Sequence, residues 1–214
     1  MSRRCVPRRF PALLSAVLLL AAAGAASADD REPRARTVLG GDRLYQACAG
    51  APARGDMSDA AITACNEALE HRQSSNDHVV LLVNRGVIHL NRGESALALA
   101  DFDAAIVVLP RHPEAHLNRG AALVQMGRPG PAVAALTEAL SMGVSEPYKA
   151  YYNRGAAREA LGDLRGAYED YSTALEIRPE WGPAEAEIAR FVRTRQERLA
   201  SILNNPDDPE AGRP

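Results

Sequence analysis

Two pairs of residues in this chain have types and spacings that could support redox or metal chemistry. Cys48 and Cys65 are far from the C-x-x-C spacing of a redox-active pair, so we interpret them as a structural disulfide. His112 and His116 are four residues apart, but Pro113 places a turn between them and keeps them off a shared helical face. The sequence therefore predicts no cofactor and no metal site, and a metal carrier is kept as an alternative function.

The remaining polar residues form no catalytic motif. The sequence contains no H-E-x-x-H, G-x-S-x-G, P-loop or dinucleotide-binding pattern, and its acidic residues are scattered as on an ordinary solvated surface. The 25 Lys and Arg residues are balanced by 27 Asp and Glu residues, and a formal net charge of −2 argues against a nucleic-acid partner. We therefore expect a protein that is not an enzyme and that binds no nucleic acid.

Residues 1–28 have the pattern of a secretory signal peptide. A segment with four arginines precedes an apolar stretch from Leu13 to Ala23, and the run from Ala26 to Ala28 forms an A-x-A cleavage site. The apolar stretch is shorter than the roughly 18–20 residues that a membrane-spanning helix needs. We expect cleavage near Ala28, a periplasmic or secreted protein, and no membrane span in the mature chain.

An internal repeat organises most of the mature chain. The tripeptide Asn-Arg-Gly occurs three times, and its glycines, Gly86, Gly120 and Gly155, are 34 and 35 residues apart. Four further positions recur at fixed offsets: a second glycine (Gly93, Gly127, Gly162), an alanine (Ala98, Ala132, Ala167), a large residue (Phe102, Leu136, Tyr171) and a second alanine (Ala105, Ala139, Ala174). A period of this length is typical of a solenoid of stacked repeats.

Each repeat is expected to form two antiparallel helices. The second glycine suits the end of the first helix, and Ser95, Pro131 and Asp163 suit the start of the second. The recurring small residues let two backbones approach closely, while the large residue fills the space between the helices. Because Ala and Leu dominate and aromatic residues make up only 5% of the chain, we predict an all-α fold.

The period, the two-helix unit and the order Gly, Gly, Ala, large residue, Ala and Pro resemble the tetratricopeptide repeat (TPR) family over about residues 79–180. The resemblance implies an α-solenoid of about 3.5 stacked helix pairs with a C-terminal capping helix. One departure is that Arg85, Arg119 and Arg154 occupy a position where the family usually has leucine.

Two of these arginines have an acidic residue sixteen positions later, across the helix pair. This spacing predicts a salt bridge between Arg85 and Asp101 and another between Arg154 and Asp170. We expect none within the middle unit, because Ala135 stands where the acid would be.

A degenerate unit precedes the regular repeats. Asp59 to Glu70 matches a second repeat helix, and Gly41 to Ala49 would be its partner. In this register Cys48 and Cys65 face each other across the hairpin, which is consistent with a disulfide.

The chain is thus divided into eight segments. They are a signal peptide (1–28), a flexible segment (29–41), a degenerate hairpin (42–78), three TPR units (79–112, 113–147, 148–181), a capping helix (182–203) and a disordered tail (204–214). The capping helix carries Arg190, Arg193, Arg195 and Arg198 on one face. This face is interpreted as the solvated end of the array, with a basic docking surface as the alternative.

In this family the first helix of each unit lines a concave groove that holds a peptide or helix. The resemblance assigns to the groove Val83, Asn84, Val87, Leu90, Asn91, Leu117, Asn118, Ala121, Val124, Gln125, Lys149, Tyr152, Asn153, Ala156 and Glu159. The three asparagines could bind the backbone of a ligand or cap local polar groups, and both interpretations stay open. The groove has a single lysine and no cluster of cations, so an apolar or amphipathic segment fits it better than an acidic C-terminus.

The function expected from this pattern is protein–protein interaction. We interpret the chain as a non-enzymatic scaffold or accessory subunit of a cell-envelope complex that binds a peptide or helix of another protein. The alternative is a periplasmic carrier of a small ligand or metal. Neither the composition nor the period identifies the partner.

Overall fold

The computed structural model describes residues 41–71 and 74–204, which form nine α-helices and one short 3-10 helix. The helices are α1 (Gly41–Gly50), α2 (Asp59–Glu70), α3 (Ser75–Asn91), α4 (Ser95–Val108), α5 (Pro113–Gln125), α6 (Pro129–Ser141), α7 (Pro147–Ala160), α8 (Leu164–Ile177) and α9 (Gly182–Asn204), and the 3-10 helix spans Pro52–Arg54. The predicted signal peptide lies outside the described residues, as do 29–40 and 205–214. Within these ranges no helix is long and apolar enough to cross a membrane.

The helices stack as antiparallel pairs in a TPR-like solenoid, which confirms the predicted all-α fold. Helices α1 to α8 form four pairs, and α9 packs on the last of them. The first helices also contact one another, α3 with α5 and α5 with α7, so they form the inner layer of the array. Ser74 caps α3 by accepting a hydrogen bond from the Asp77 backbone, which starts this helix four residues before the predicted unit boundary at residue 79.

The turns inside the three regular pairs depend on glycine. Gly93, Gly127 and Gly162 follow the first helix of each pair and adopt φ values of 79°, 66° and 83°. This left-handed conformation is strained for residues with a Cβ atom, so glycine here ends one helix and reverses the chain. The second helices begin at Ser95, Pro129 and Leu164, so the predicted start at Pro131 is two residues late. Pro129 is tolerated because the first turn of a helix needs no backbone donor.

A close contact between a glycine and a large side chain holds each regular pair together. A Cβ atom built on Gly86 would lie 2.5 Å from Phe102, and one on Gly120 would lie 2.4 Å from Leu136. Gly155 makes the same contact with Tyr171, at 2.9 Å. These large residues are buried, so the recurring glycine provides the space that they fill.

The predicted disulfide joins Cys48 of α1 to Cys65 of α2. Both cysteines are buried in a cluster that includes Leu81 and Ile88 of α3, so the bridge lies where the degenerate unit packs on the first regular repeat. The disulfide therefore closes the hairpin and also supports its interface with the array.

The two predicted salt bridges are present within their helix pairs. Arg85 donates to both carboxylate oxygens of Asp101 at 2.9 and 2.5 Å, and Arg154 donates to both of Asp170 at 2.9 and 2.7 Å. The hydrogen bond to Asp170 raises the pKa of Arg154 above its usual value. Arg119 of the middle unit bonds to Asp103 at 2.6 Å, on the second helix of the preceding pair.

All three arginines reach back to the preceding pair. Arg85 also bonds to Asn66 of α2 at 2.8 Å, and Arg154 bonds to Thr137 of α6 at 3.3 Å. The Arg119 bond to α4 crosses the remaining interface. An arginine side chain therefore spans each interface between successive pairs from α1 to α8. The arginine at the family's leucine position therefore connects units as well as the helices within a unit.

We expect the loss of the Asp170 carboxylate to destabilise the protein more than the loss of Asp103. Asp170 is buried and accepts two charged hydrogen bonds from Arg154, so Asp170→Ala should cost about 1.5–3 kcal/mol. Asp103 is half exposed, and Asp103→Ala should cost about 0–1 kcal/mol. Urea unfolding followed by circular dichroism measures both values. Equal losses of unfolding free energy would contradict the larger contribution expected from the buried pair.

Candidate functional site

The groove residues predicted from the family register divide into two groups by burial. Ten are buried: Val83, Asn84, Val87, Leu90, Leu117, Asn118, Ala121, Lys149, Tyr152 and Asn153. Five are half-buried: Asn91, Val124, Gln125, Ala156 and Glu159. The apolar members of the first group belong to the clusters between helix pairs. The surface that a ligand meets on the inner layer is therefore narrower than the predicted set.

The three asparagines differ in their hydrogen bonds. Asn84 donates from Nδ2 to the carbonyl of Val80 at 2.8 Å, so it follows the local capping interpretation. Asn118 is fully buried, and neither its Nδ2 nor its Oδ1 has a partner among the described residues. The Oδ1 atom of Asn153 also has no hydrogen-bond partner among the described residues. An unsatisfied buried amide costs about 1–3 kcal/mol, so Asn118 lowers the stability of the array, and its burial keeps it away from a ligand on the inner layer.

The two charged groove residues are already paired. Lys149 donates from Nζ to Glu146 Oε2 at 2.6 Å. Burial alone would raise the pKa of Glu146, but hydrogen bonds from Lys149 and Tyr148 hold it below its usual value. Glu159 accepts hydrogen bonds from Arg190 of α9 at 2.6 and 2.7 Å. The groove charges predicted from the register are thus neutralised by neighbouring residues.

An aromatic cluster that the sequence analysis did not identify attaches α9 to the last pair. Tyr148 and Tyr152 make edge-on contacts with Trp181, at 4.8 and 5.1 Å between ring centroids, and Tyr171 contacts Phe191 at 6.1 Å. Burial, with the nearby carboxylates of Glu187 and Glu159, raises the pKa of Tyr152 to about 12. A signal for this cluster was available, because seven of the ten aromatic residues lie between positions 148 and 191.

The two neighbouring histidines have separate structural roles. His112 precedes α5 and accepts a hydrogen bond at Nδ1 from the backbone of Ala115 at 3.2 Å, and burial lowers its pKa. His116 lies in the first turn of that helix, and its Nε2 is 2.9 Å from the carbonyl of Pro110. In residues 41–71 and 74–204, no group of three or more potential metal ligands comes together.

Comparison with known proteins identifies the repeat. Residues 148–180 match the tetratricopeptide repeat model. RNA polymerase II-associated protein 3 of Xenopus tropicalis is 27% identical over 141 residues, which cover 62% of this chain and 21% of that protein. This chain therefore corresponds to about a fifth of its curated relative.

Two solved structures have the same architecture. The first TPR of Spaghetti (RPAP3), bound to the HSP90 peptide SRMEEVD, is 25% identical with a TM-score of 0.51, over 55% of this chain and 93% of that one. MamA from Desulfovibrio magneticus RS-1 is 18% identical with a TM-score of 0.62, over 82% of this chain and 99% of that one, and supports the fold alone. The chain therefore contains a tetratricopeptide repeat, at residues 148–180, within a solenoid of TPR-like architecture.

Proposed function

We propose that this protein is a non-enzymatic interaction module that binds a peptide or helix of another protein along the inner layer formed by α3, α5 and α7. The observation that carries the proposal is the set of inner-layer residues that stay half-buried on three successive first helices: Asn91, Val124, Gln125 and Ala156. Side chains with part of their surface open can contact a bound segment directly. The similar RPAP3 domain bound to an HSP90 peptide supports this class of function.

The preferred ligand is an apolar or amphipathic segment. The half-buried inner-layer residues Val124 and Ala156 are apolar, and Asn91 and Gln125 are neutral. Lys149 is held by Glu146, which leaves it poorly placed to bind the carboxylates of an acidic peptide. We therefore expect this chain to prefer a different ligand from the SRMEEVD peptide bound by the RPAP3 domain.

We further propose that the module acts outside the cytoplasm, in the periplasm or after secretion, as a scaffold or accessory subunit of a cell-envelope complex. The signal-like pattern of residues 1–28 supports export. The disulfide between Cys48 and Cys65 supports an oxidising compartment.

The test of peptide binding compares two valines, one on the inner layer and one on a second helix. Peptides selected from a displayed random library on residues 29–214 would be synthesised, and their affinity measured by calorimetry with SRMEEVD as the acidic comparator. Val124→Asp should weaken binding of the selected peptide about tenfold or more, because it places a charge among the apolar contacts of the half-buried surface. Val107→Asp, at an exposed valine of α4, is the matched control and should change affinity little.

A stability measurement on the same variants separates binding from folding. Val124 is only half-buried, so Val124→Asp should lower the thermal midpoint modestly while binding falls. Binding unaffected by Val124→Asp, or lost only with the fold, would refute this site. Tight metal binding with no peptide ligand would instead support the carrier alternative. Leu117 and Tyr152 are unsuitable as probes, because both are buried in the core.

A further inference from the structure

Helix α9 is aligned with the first helices of the regular repeats. Ala184 occupies the position of Ala115 and Ala150, and all three are fully buried. Seven residues later, Phe191 occupies the position of the buried Ala157 and packs on Tyr171. Because both contact positions coincide, α9 is the first helix of a fifth pair.

The second helix of this pair is absent from the described part of the chain, and the surface that it would cover is open. In the regular repeats the glycine that faces the second helix is buried, as at Gly120 and Gly155. Its counterpart in α9, Ala189, is exposed, and Val192 on the same side is 44% exposed. The fifth pair therefore lacks half of its interface.

Helix α8 leaves the adjoining part of this surface uncovered. Tyr168 occupies the position of Leu99 and Val133, which are partly buried against the core of the array. Tyr168 itself is 43% exposed, and Leu164 one turn earlier is also exposed. We call the apolar patch formed by Leu164, Tyr168, Ala189, Val192 and Leu199 the terminal surface.

The chain also carries a long exposed helical segment that could cover such a surface. Helix α9 has 23 residues, against 13 or 14 in each helix from α4 to α8. Its residues from Val192 to Ser201 are all exposed, including Leu199 at 51%. Val192 and Leu199 are seven residues apart and so share one side of the helix. A helix of this kind gains most of its stability by packing its apolar side.

The charges of α9 favour antiparallel pairing of this helix with itself. Glu185, in the first half, is exposed and has no ion pair with any other described residue, while Arg193 and Arg195, in the second half, are exposed. Antiparallel alignment of two α9 helices places the basic half of each beside the acidic start of the other, whereas parallel alignment places like charges together. Residues 205–214 contain three prolines and no large apolar residue, a composition that does not favour an apolar helix.

We propose that a second copy of this chain covers the terminal surface, with the two α9 helices packed antiparallel about a two-fold axis. Such an interface uses the same patch on both subunits and is self-complementary. It supplies each incomplete fifth pair with the missing helix. It also leaves α3 and α5 of both subunits outside the interface, so peptide binding and dimerisation involve different surfaces.

Light scattering coupled to size-exclusion chromatography tests this proposal on residues 29–214. The expected result is a particle with twice the mass of one chain. Val192→Asp and Leu199→Asp each place a charge in the interface and should weaken the dimer about tenfold or more. Val107→Asp is the matched control, because Val107 is an exposed valine on α4 (81%) outside the terminal surface, and it should leave the mass unchanged.

Two results would overturn the proposal: a monomeric protein throughout the micromolar range, or a dimer that both aspartate variants leave intact. Glu185→Arg tests the alignment without altering the apolar side of α9. It should weaken the dimer at low ionic strength and less so at high salt. An unchanged dissociation constant for this variant would exclude antiparallel pairing. Circular dichroism of each variant verifies that the helices remain folded.

Discussion

Phe102→Ala should lower the free energy of unfolding by about 3–5 kcal/mol, among the largest effects expected for one substitution in this protein. Phe102 is fully buried between α3 and α4, where its ring lies against the backbone of Gly86. Its removal loses the transfer free energy of the ring and leaves a cavity that the helix pair closes only in part. Urea unfolding followed by circular dichroism measures the loss.

Gly86→Ala tests the other side of the same contact. The added Cβ would meet the Phe102 ring at 2.5 Å, so we expect a cost of about 1–3 kcal/mol from overpacking. In the double variant, the new methyl group occupies part of the space that the ring has left. Its total cost should therefore be smaller than the sum of the two single costs.

Gly130→Ala is the control for this pair of substitutions. Gly130 lies in the first turn of α6, and apart from its chain neighbours a Cβ atom built there has nothing within 4 Å. The change should alter the free energy of unfolding by less than about 1 kcal/mol, because the higher helix propensity of alanine is offset by the ring of Pro131, which crowds a Cβ atom on the residue before it. Strict additivity of the Gly86 and Phe102 changes, or an equal cost at Gly130, would contradict the proposed contact.

Replacement of both disulfide cysteines, Cys48→Ala with Cys65→Ala, should cost about 3 kcal/mol by the chain-entropy model. The bridge links α1 to α2 and is buried against Leu81 and Ile88 of α3. Its loss therefore frees the first hairpin and weakens its packing on the array. For a chain of this size, thermal unfolding should move down by about 6–12 °C.

Reduction of the native protein provides the matched comparison. Dithiothreitol should lower the unfolding midpoint of the native protein towards that of the alanine variant and leave the variant itself unchanged. The rate of amide hydrogen exchange should increase most in α1 and α2, because these helices lose their covalent link. A variant as stable as the oxidised native protein would show that the helix packing alone holds this hairpin.

The contacts within a repeat could be predicted from the sequence because their geometry is local. Once the period assigns residues to two antiparallel helices, Gly86 must face Phe102 and Arg85 must lie near Asp101, since both pairs are separated by sixteen residues. The arginine links from Arg119 to Asp103 and from Arg154 to Thr137 were not predicted. They depend on the angle at which one pair packs on the next, which the spacing within a pair does not specify.

The family register located the inner layer but could not give the exposure of its side chains. Asn84 and Asn118 occupy equivalent positions, yet one bonds to Val80 and the other has no partner among the described residues. Glu159 was assigned to the groove and is bound by Arg190 of α9. Such differences arise from neighbours distant in sequence, which the repeat pattern treats as equivalent.

The sequence by itself determined the helix pairs, their order, the disulfide and the buried Gly and Ala positions, because each depends on turn chemistry or on spacing within one repeat. Tertiary structure decided which inner-layer residues are accessible, which groove charges are neutralised, and how the aromatic cluster around Trp181 anchors α9. These features require the stacking of whole units. Contacts between residues close in sequence specify the repeat, whereas the surface available for binding depends on how successive repeats pack.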